Sequence, residues 1–383
     1  MNRVLFVSHT AELKGAERFL LDILRTLDRS RFAPRLVVPR SGPLEEKAAA
    51  ADIAVSVVPF KWWLTEPSRM WKQPLANLWN RPAVSTVARL IKTNGMDLVF
   101  SNSAAVAVGA LAARRARVPH VWFIHEVLDG ARPMLRSLFG YRHLVRMICR
   151  RSRRVVVNSL ASARAFAGCA AVDVVYNGLP DGAGRVEPRA ELRPELGLDD
   201  EARAVGVVGT IFPGKGQREA VLALASLAAR FPRLKLLLIG EAADVGYVRQ
   251  IEKTIARHGL GGRVVFTGFR SDLDEVLGLL DLLLIPSTVD SFGRVALEAM
   301  AAEVPVVAVA RGGLPEVVEH GETGFLVDGP EPDTLAAGMA AVLDSPVRAR
   351  EVAARARRAV RRRFSLTAEV RKLERILEGC LER

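Results

Sequence analysis

The chain has 383 residues, 50% of them apolar, and carries 55 Lys and Arg against 42 Asp and Glu, for a formal net charge of +13 and a pI near 10.3. That length exceeds what one hydrophobic core usually serves, so two domains are expected, and the apolar content excludes a disordered chain. The longest apolar stretch, 98–113, is short and holds Ser101, Asn102 and Ser103, and the apolar run at 3–9 is too brief for a signal peptide, so a cytoplasmic protein is expected.

Three widely spaced cysteines, Cys149, Cys169 and Cys380, are odd in number and lack a Cys-x-x-Cys pair, which fits reduced thiols and no metal site. The positive charge points to anionic partners: nucleic acid, an acidic membrane surface or nucleotide phosphates. Much of it is Arg on 348–363, which reads as the solvated face of a helix.

In chain order, residues 4–8 form an apolar strand, 9–17 a loop, and 16–27 a helix with Phe19, Leu20, Ile23, Leu24 and Leu27 at helical spacing. Strand, loop and helix in that order open a Rossmann-like half. Within the loop 13–17, Gly15 would let the backbone approach a ligand; an ordinary turn is the alternative. Strand patterns recur at 35–38, 54–58, 97–102, 120–124 and 154–158, with helical stretches such as 84–92 and 104–115 between them. Alternation of this kind gives a parallel sheet covered by helices on both faces.

Two stretches interrupt it. Residues 60–82 hold four of the five Trp residues (Trp62, Trp63, Trp71 and Trp79) among Lys61, Arg69, Lys72 and Arg81. Trp mixed with cations suits a membrane interface or an acceptor with a lipid or sugar face, and equally an insertion packing its rings onto its own domain. Residues 132–154 alternate Leu135, Leu138, Phe139, Leu144, Val145, Met147 and Ile148 with Arg and His. That pattern fits contact with acidic lipid or an ordinary core helix.

His125 follows the strand 120–124, at the carboxyl end where parallel sheets place ligand groups, though a structural histidine reads the same way. The Gly-, Pro- and charge-rich stretch 181–193 is a domain boundary. After a strand at 204–208 comes Gly-Thr-Ile-Phe-Pro-Gly-Lys-Gly-Gln (209–217), ahead of a helix at 217–229. Gly209, Gly214 and Gly216 expose backbone N–H groups, and Lys215 adds a point charge: together a phosphate cradle. The spacing is not that of an ATP-binding P-loop.

A strand ending at Ile285 is stopped by Pro286 and followed by Ser-Thr-Val-Asp-Ser-Phe-Gly-Arg-Val-Ala-Leu-Glu (287–298). Ser291 is expected as N-cap of a helix through Gly293, Val295 and Leu297, whose opening would attract a diphosphate. Asp290 and Glu298 bracket it, and carboxylates beside an anion site suit a ligand with both phosphates and sugar hydroxyls. Helix capping, with Glu298 paired to Arg294 at the i,i+4 spacing, is the alternative.

The stretch 286–298 resembles the acid-seven-acid motif of retaining GT-B glycosyltransferases of glycosyltransferase family 4, and 302–308 and 312–327 are similar to the family's segments on the carboxyl side of that motif. Residues 13–17, 174–180 and 209–216 resemble further family motifs. This chain has Asp290 where Glu is usual, Glu303 for Gly, Thr210 for Arg and Lys14 for Gly; Asp290 shortens a donor-sugar contact by one methylene.

The resemblance implies an α/β, GT-B chain of two Rossmann-like doubly wound domains facing a central cleft. They would be an acceptor domain over 1–178 and a nucleotide-sugar donor domain over 179–364, with a terminal helix over 365–383 crossing back to the first. It implies catalytic His125, Asp290 and Lys215. Donor binding falls to Gly15, Gly209, Thr210, Gly214, Gly216, Ser291, Phe292, Gly293, Arg294, Val295 and Glu298. No metal and no cofactor are implied: the donor, a UDP- or GDP-linked sugar, is substrate. The acceptor would be a glycan or lipid-linked saccharide used for cell-surface polysaccharide or glycoconjugates, with peripheral contact at the inner, acidic membrane face and no nucleic acid. An epimerase or phosphorylase on the same fold, or a polyanion binder, are the alternatives.

Overall fold

The computed structural model describes residues 1–64, 78–128, 137 and 140–382. Trp71, Arg69 and Lys72 of the Trp-rich stretch, and Leu135, Leu138 and Phe139 of the basic one, lie outside the described residues. The chain divides into one unit of Met1–Pro180 with Leu366–Arg383 and a second of Asp181–Ser365.

The first unit contains β1 (Asn2–Ser8), β2 (Phe32–Val38), β3 (Ala54–Val57), β4 (Leu98–Asn102), β5 (His120–Ile124), β6 (Arg154–Val157) and β7 (Val172–Val174). They form one sheet in the order β3-β2-β1-β4-β5-β6-β7, every pairing parallel. Side chains alternate between the two faces of a strand, so a sheet covered on both sides needs an unbroken apolar run. β1 shows this. Val4 and Phe6 enter a core with Phe19, Leu20, Leu24, Phe100 and Phe123. Leu5 and Val7 enter another with Val87, Ile91, Val99 and Ala112. Each such side chain, fully buried, contributes about 1.5–3 kcal/mol.

Helix Leu366–Leu381 belongs to this unit and buries Val370, Leu373 and Leu377 in the first of those cores. It is tied down by polar contacts as well. Leu366 N donates to Leu179 O (2.8 Å), Tyr176 N to Glu369 Oε2 (2.9 Å) and Asp28 N to Glu374 Oε1 (2.8 Å).

The expectation of unpaired cysteines needs correction. Cys149, on helix Tyr141–Arg151, forms a disulfide with Cys169, the Cα atoms 5.5 Å apart, while Cys380 is free and buried. Twenty residues separate the pair in sequence, and the packing of that helix beside β6 and β7 brings them together. No spacing rule reveals such a pair.

The second unit contains β8 (Arg203–Val208), β9 (Leu234–Ile239), β10 (Val264–Gly268), β11 (Leu282–Ile285), β12 (Val306–Val309) and β13 (Phe325–Val327), in the parallel order β10-β9-β8-β11-β12-β13. Helices Gln217–Leu227 and Pro332–Leu343 pack Leu224, Leu335 and Met339 against Val205, Leu236 and Leu284. Both sheets are thus Rossmann-ordered. The strand order reverses between β1 and β4 in one and between β8 and β11 in the other, and ligands of such sheets bind outside the carboxyl ends at that switch point. Among the described residues no helix is long and apolar enough to cross a membrane.

Candidate functional site

In the second unit the two polar turns singled out from the sequence leave neighbouring strands at the switch point. Residues 209–216 follow β8, and 286–293 follow β11. They are stitched together: Gly214 O accepts from Thr288 N (3.2 Å) and from Ser287 Oγ (3.3 Å). Gly216 has φ of 72°, and a Cβ there would lie 2.7 Å from Pro286 O, so both the backbone sign and the close approach require glycine. Gln217, wholly buried, donates from Nε2 to Thr210 O (3.1 Å) and pins the front of the turn.

Lys215 Nζ contacts the Asp290 carboxylate, so the cation of one turn and the acid of the other form an ion pair. Both side chains are largely shielded, 21% and 15% exposed. A third segment backs the acid: Gly313 N donates to Asp290 O (3.1 Å). Gly312 approaches so closely that a Cβ there would fall 1.9 Å from the same oxygen.

Ser291 is not the N-cap. Helix Arg294–Ala301 begins two residues later than that expectation, with Gly293 as N-cap at φ 90°. A left-handed residue is needed to swing the chain from the turn into the helix, and Gly293 supplies it where serine would be strained. Ala296 N makes the first bond, to Gly293 O (2.9 Å), so the N–H groups of Gly293, Arg294 and Val295 precede the helical ladder beside Asp290.

Arg294 Nε meets Glu298 Oε1 at 3.1 Å, the i,i+4 pair weighed from the sequence, and both are about 15% exposed or less. Phe292 turns its side chain into the core of the second unit. Its side chain is 1% exposed and packs on Phe364 (5.9 Å between ring centroids), which leaves only its backbone for a ligand. Gly15 opens helix Gly15–Thr26, and a Cβ there would meet nothing within 4 Å.

The first unit has its own polar cluster at its switch point. His125 follows β5, and its Nε2 lies 2.7 Å from Asn102 Oδ1 at the end of β4. Burial, helped by the charge of nearby His9, pushes the His125 pKa down to about 3, so the imidazole is neutral at physiological pH. His9, just after β1, lies 3.0 Å from Glu17. Burial opposes charge on His9, but the Glu17 carboxylate and, further off, Glu126 raise its pKa above the usual value. Glu126 accepts from Ser103 Oγ, from Ala104 N (3.1 Å) and from His125 N (3.0 Å).

Sequence reading isolated His125 here and passed over His9, Asn102 and Ser103. The available signal was the one used for His125: each is a polar residue at or just past the end of an apolar strand.

Of the Trp residues, Trp62 donates from Nε1 to His9 O (2.6 Å) and Trp63 to Ala104 O (2.7 Å). Trp63 also stacks on Trp122 (6.1 Å), so these two rings pack on their own domain, while Trp79 is 63% exposed beneath Lys61 Nζ (3.4 Å).

Two Rossmann-ordered parallel sheets, with glycine-rich and acidic turns at the switch point of the second, define the GT-B class of α/β proteins. Residues 13–181 match the family model described as Glycosyltransferase Family 4, and residues 188–362 the one described as Glycosyl transferases group 1. The chain belongs to this group 1, family 4 type of glycosyltransferases.

The D-inositol 3-phosphate glycosyltransferase of Thermobispora bispora is 32% identical over 299 residues, which cover 72% of this chain and 68% of that one. The protein of the same name from Segniliparus rotundus is 38% identical over 182 residues, spanning 47% of this chain and 40% of the relative. Among solved structures, HepE of Anabaena in complex with UDP-glucose superposes with a TM-score of 0.84 at 28% identity, over 99% of this chain and 100% of that one. Sucrose-phosphate synthase from Thermosynechococcus elongatus, at 18% identity and a TM-score of 0.80 over 99% of each chain, shares the fold.

Proposed function

We propose that this chain transfers a sugar from a nucleotide diphosphate sugar to a hydroxyl of a glycan or lipid-linked saccharide, with retention of configuration. The observation that carries this reading is the Lys215–Asp290 pair, which joins the glycine turn to the opening of helix Arg294–Ala301 at the switch point of the second sheet. A cation, an acid and two sets of backbone N–H groups converge there, and that set suits a diphosphate carrying sugars. The UDP-glucose complex of HepE supports a uridine diphosphate sugar as donor.

In this reading Lys215 and the N–H groups after Gly293 bind the diphosphate, Asp290 orients the transferred sugar, and Glu298 holds the ribose hydroxyls. In the reaction the acceptor oxygen bonds to the anomeric carbon as the bond from that carbon to the phosphate oxygen breaks on the same face. The acceptor proton passes to the departing diphosphate. Charge develops on that leaving group, and fixed donors aimed at developing charge are the largest usual source of rate enhancement. The chemistry so described asks for neither a metal nor a cofactor.

On the first unit, neutral His125 would hydrogen-bond a sugar hydroxyl. The product would serve cell-surface polysaccharide or glycoconjugate synthesis. Exposed Arg142, Arg146 and Arg150, on a helix without an acidic residue, support contact with an acidic membrane face.

A thermal-shift series with UDP, GDP and ADP tests the donor site, because a ligand of the folded state stabilises it by about 2.7 kcal/mol at a hundredfold excess over Kd. A rise with UDP is expected, and indifference to all three overturns the reading. The anomeric configuration of the product, read by NMR, tests retention.

A further inference from the structure

We propose that Asn102 is a positioning residue that sets the tautomer and ring plane of His125, so that Nδ1 is presented as a bare acceptor to a sugar hydroxyl. The inference rests on the reading of His125 as a sugar-binding group.

Asn102 is wholly buried at the carboxyl end of β4, between helix Gly15–Thr26 and His125. Its Nδ2 donates to Ala16 O (3.4 Å), and its Oδ1 lies 2.7 Å from His125 Nε2. A backbone carbonyl only accepts, so Ala16 turns the NH2 of the amide toward itself and the oxygen toward the histidine. That oxygen also only accepts, so His125 Nε2 must carry the hydrogen. In a neutral imidazole the other nitrogen is then an acceptor. His125 Nδ1 is buried and has no hydrogen-bond partner among the described residues.

The surroundings keep the ring in this state. Phe123 packs against it, with 4.3 Å between ring centroids. His9, from the end of β1, is held by Glu17 of the first helix at 3.0 Å and repels a second proton on His125. The other nearby carboxylate, Glu126, is occupied by Ser103 Oγ, Ala104 N and the His125 backbone N–H. Among the described residues the ring therefore has one oriented polar partner, Asn102.

The test is long-range 1H–15N NMR on the full chain labelled with 15N-histidine, the His125 signals being assigned by their loss in His125→Gln. In the unmodified protein the pattern of a neutral, Nε2-protonated ring is expected, unchanged from pH 8 to about pH 5.5. An Nδ1-protonated ring, or an imidazolium near neutrality, overturns the proposal without any variant at Asn102. Asn102→Asp keeps the shape and puts a charge on Nε2, which favours imidazolium, so the titration midpoint of His125 is expected to rise by about one unit or more.

Turnover of UDP-glucose by Asn102→Asp should then climb with pH where that of the unmodified protein is level. Asn102→Ser should give a mixture of tautomers. An unchanged tautomer and titration in both variants also overturns the proposal. Undiminished UDP-glucose turnover in His125→Ala would instead overturn the sugar-binding reading, whatever the tautomer.

Discussion

Lys215 and Asp290, 75 residues apart in sequence, meet in an ion pair that bridges the turns leaving β8 and β11. The pair holds the cation of the glycine turn on the acid of the second motif. In the proposed donor site a diphosphate would offer Lys215 more negative charge than one carboxylate, and its arrival would free Asp290 for sugar hydroxyls.

The two partners should therefore fail differently when changed. Lys215→Ala should weaken UDP binding and lower kcat/KM at least tenfold, a loss of about 1.4 kcal/mol or more of transition-state stabilisation. Asp290→Asn should bind UDP as well as the unmodified protein or better, yet turn over at least about tenfold more slowly. Calorimetry of UDP binding beside steady-state rates separates the two, and a Lys215→Ala enzyme of ordinary rate would remove Lys215 from the site.

Gly312 has φ of 59°, and a Cβ there would meet Asp290 O at 1.9 Å. Gly312→Ala must displace the Asp290 backbone or open the second turn, costing about 1–3 kcal/mol. A lower denaturation midpoint is expected together with reduced turnover. An alanine variant matching the parent in both would show that this contact does not hold Asp290.

Acid should weaken the fold through two histidines. Burial depresses the pKa of His120 and of His125 to about 3 from an ordinary 6.5, His9 contributing to the second. Below pH 6.5 the unfolded chain binds protons that the folded one refuses. Their contribution is thus complete above 6.5 and lost as the pH falls toward 3, at up to about 1.4 kcal/mol per pH unit for each group. The raised pKa of His9 works the other way and offsets part of the loss. Urea midpoints from pH 7 to pH 5 should fall, and less steeply in His120→Gln; equal slopes would contradict the assignment.

Glu369 carries the opposite sign. Burial raises its pKa, against the opposing hydrogen bond from Tyr176 N. The folded state then holds a proton that the unfolded chain has released, so stability falls as the pH climbs past the ordinary value of 4.5. Gln keeps an acceptor for Tyr176 N and sheds the charge. Glu369→Gln should therefore match or exceed the parent at pH 7, with the gap closing on acidification below 4.5; a variant weaker at pH 7 than in acid would refute this.

Much of the architecture was legible in the chain. Unbroken apolar runs such as 4–7 and 282–285 mark strands buried on both faces, and their alternation with amphipathic helices implies a parallel, doubly wound sheet. The two turns at 209–216 and 286–298 were legible for the same local reason, since glycine, lysine and carboxylate act on their immediate backbone.

What the sequence determined by itself was therefore local: element type, the parallel alternation of strand and helix, and the chemistry of each strand-end turn. Tertiary structure decided whatever depends on two distant segments arriving at one place. Only the fold puts Gly293 rather than Ser291 at the helix start, seats Phe292 on Phe364, pairs Cys149 with Cys169, and hangs His125 on Asn102 and Asn102 on Ala16. Those relations depend on directions and distances of an ångström or two set by packing, and a one-dimensional pattern records neither.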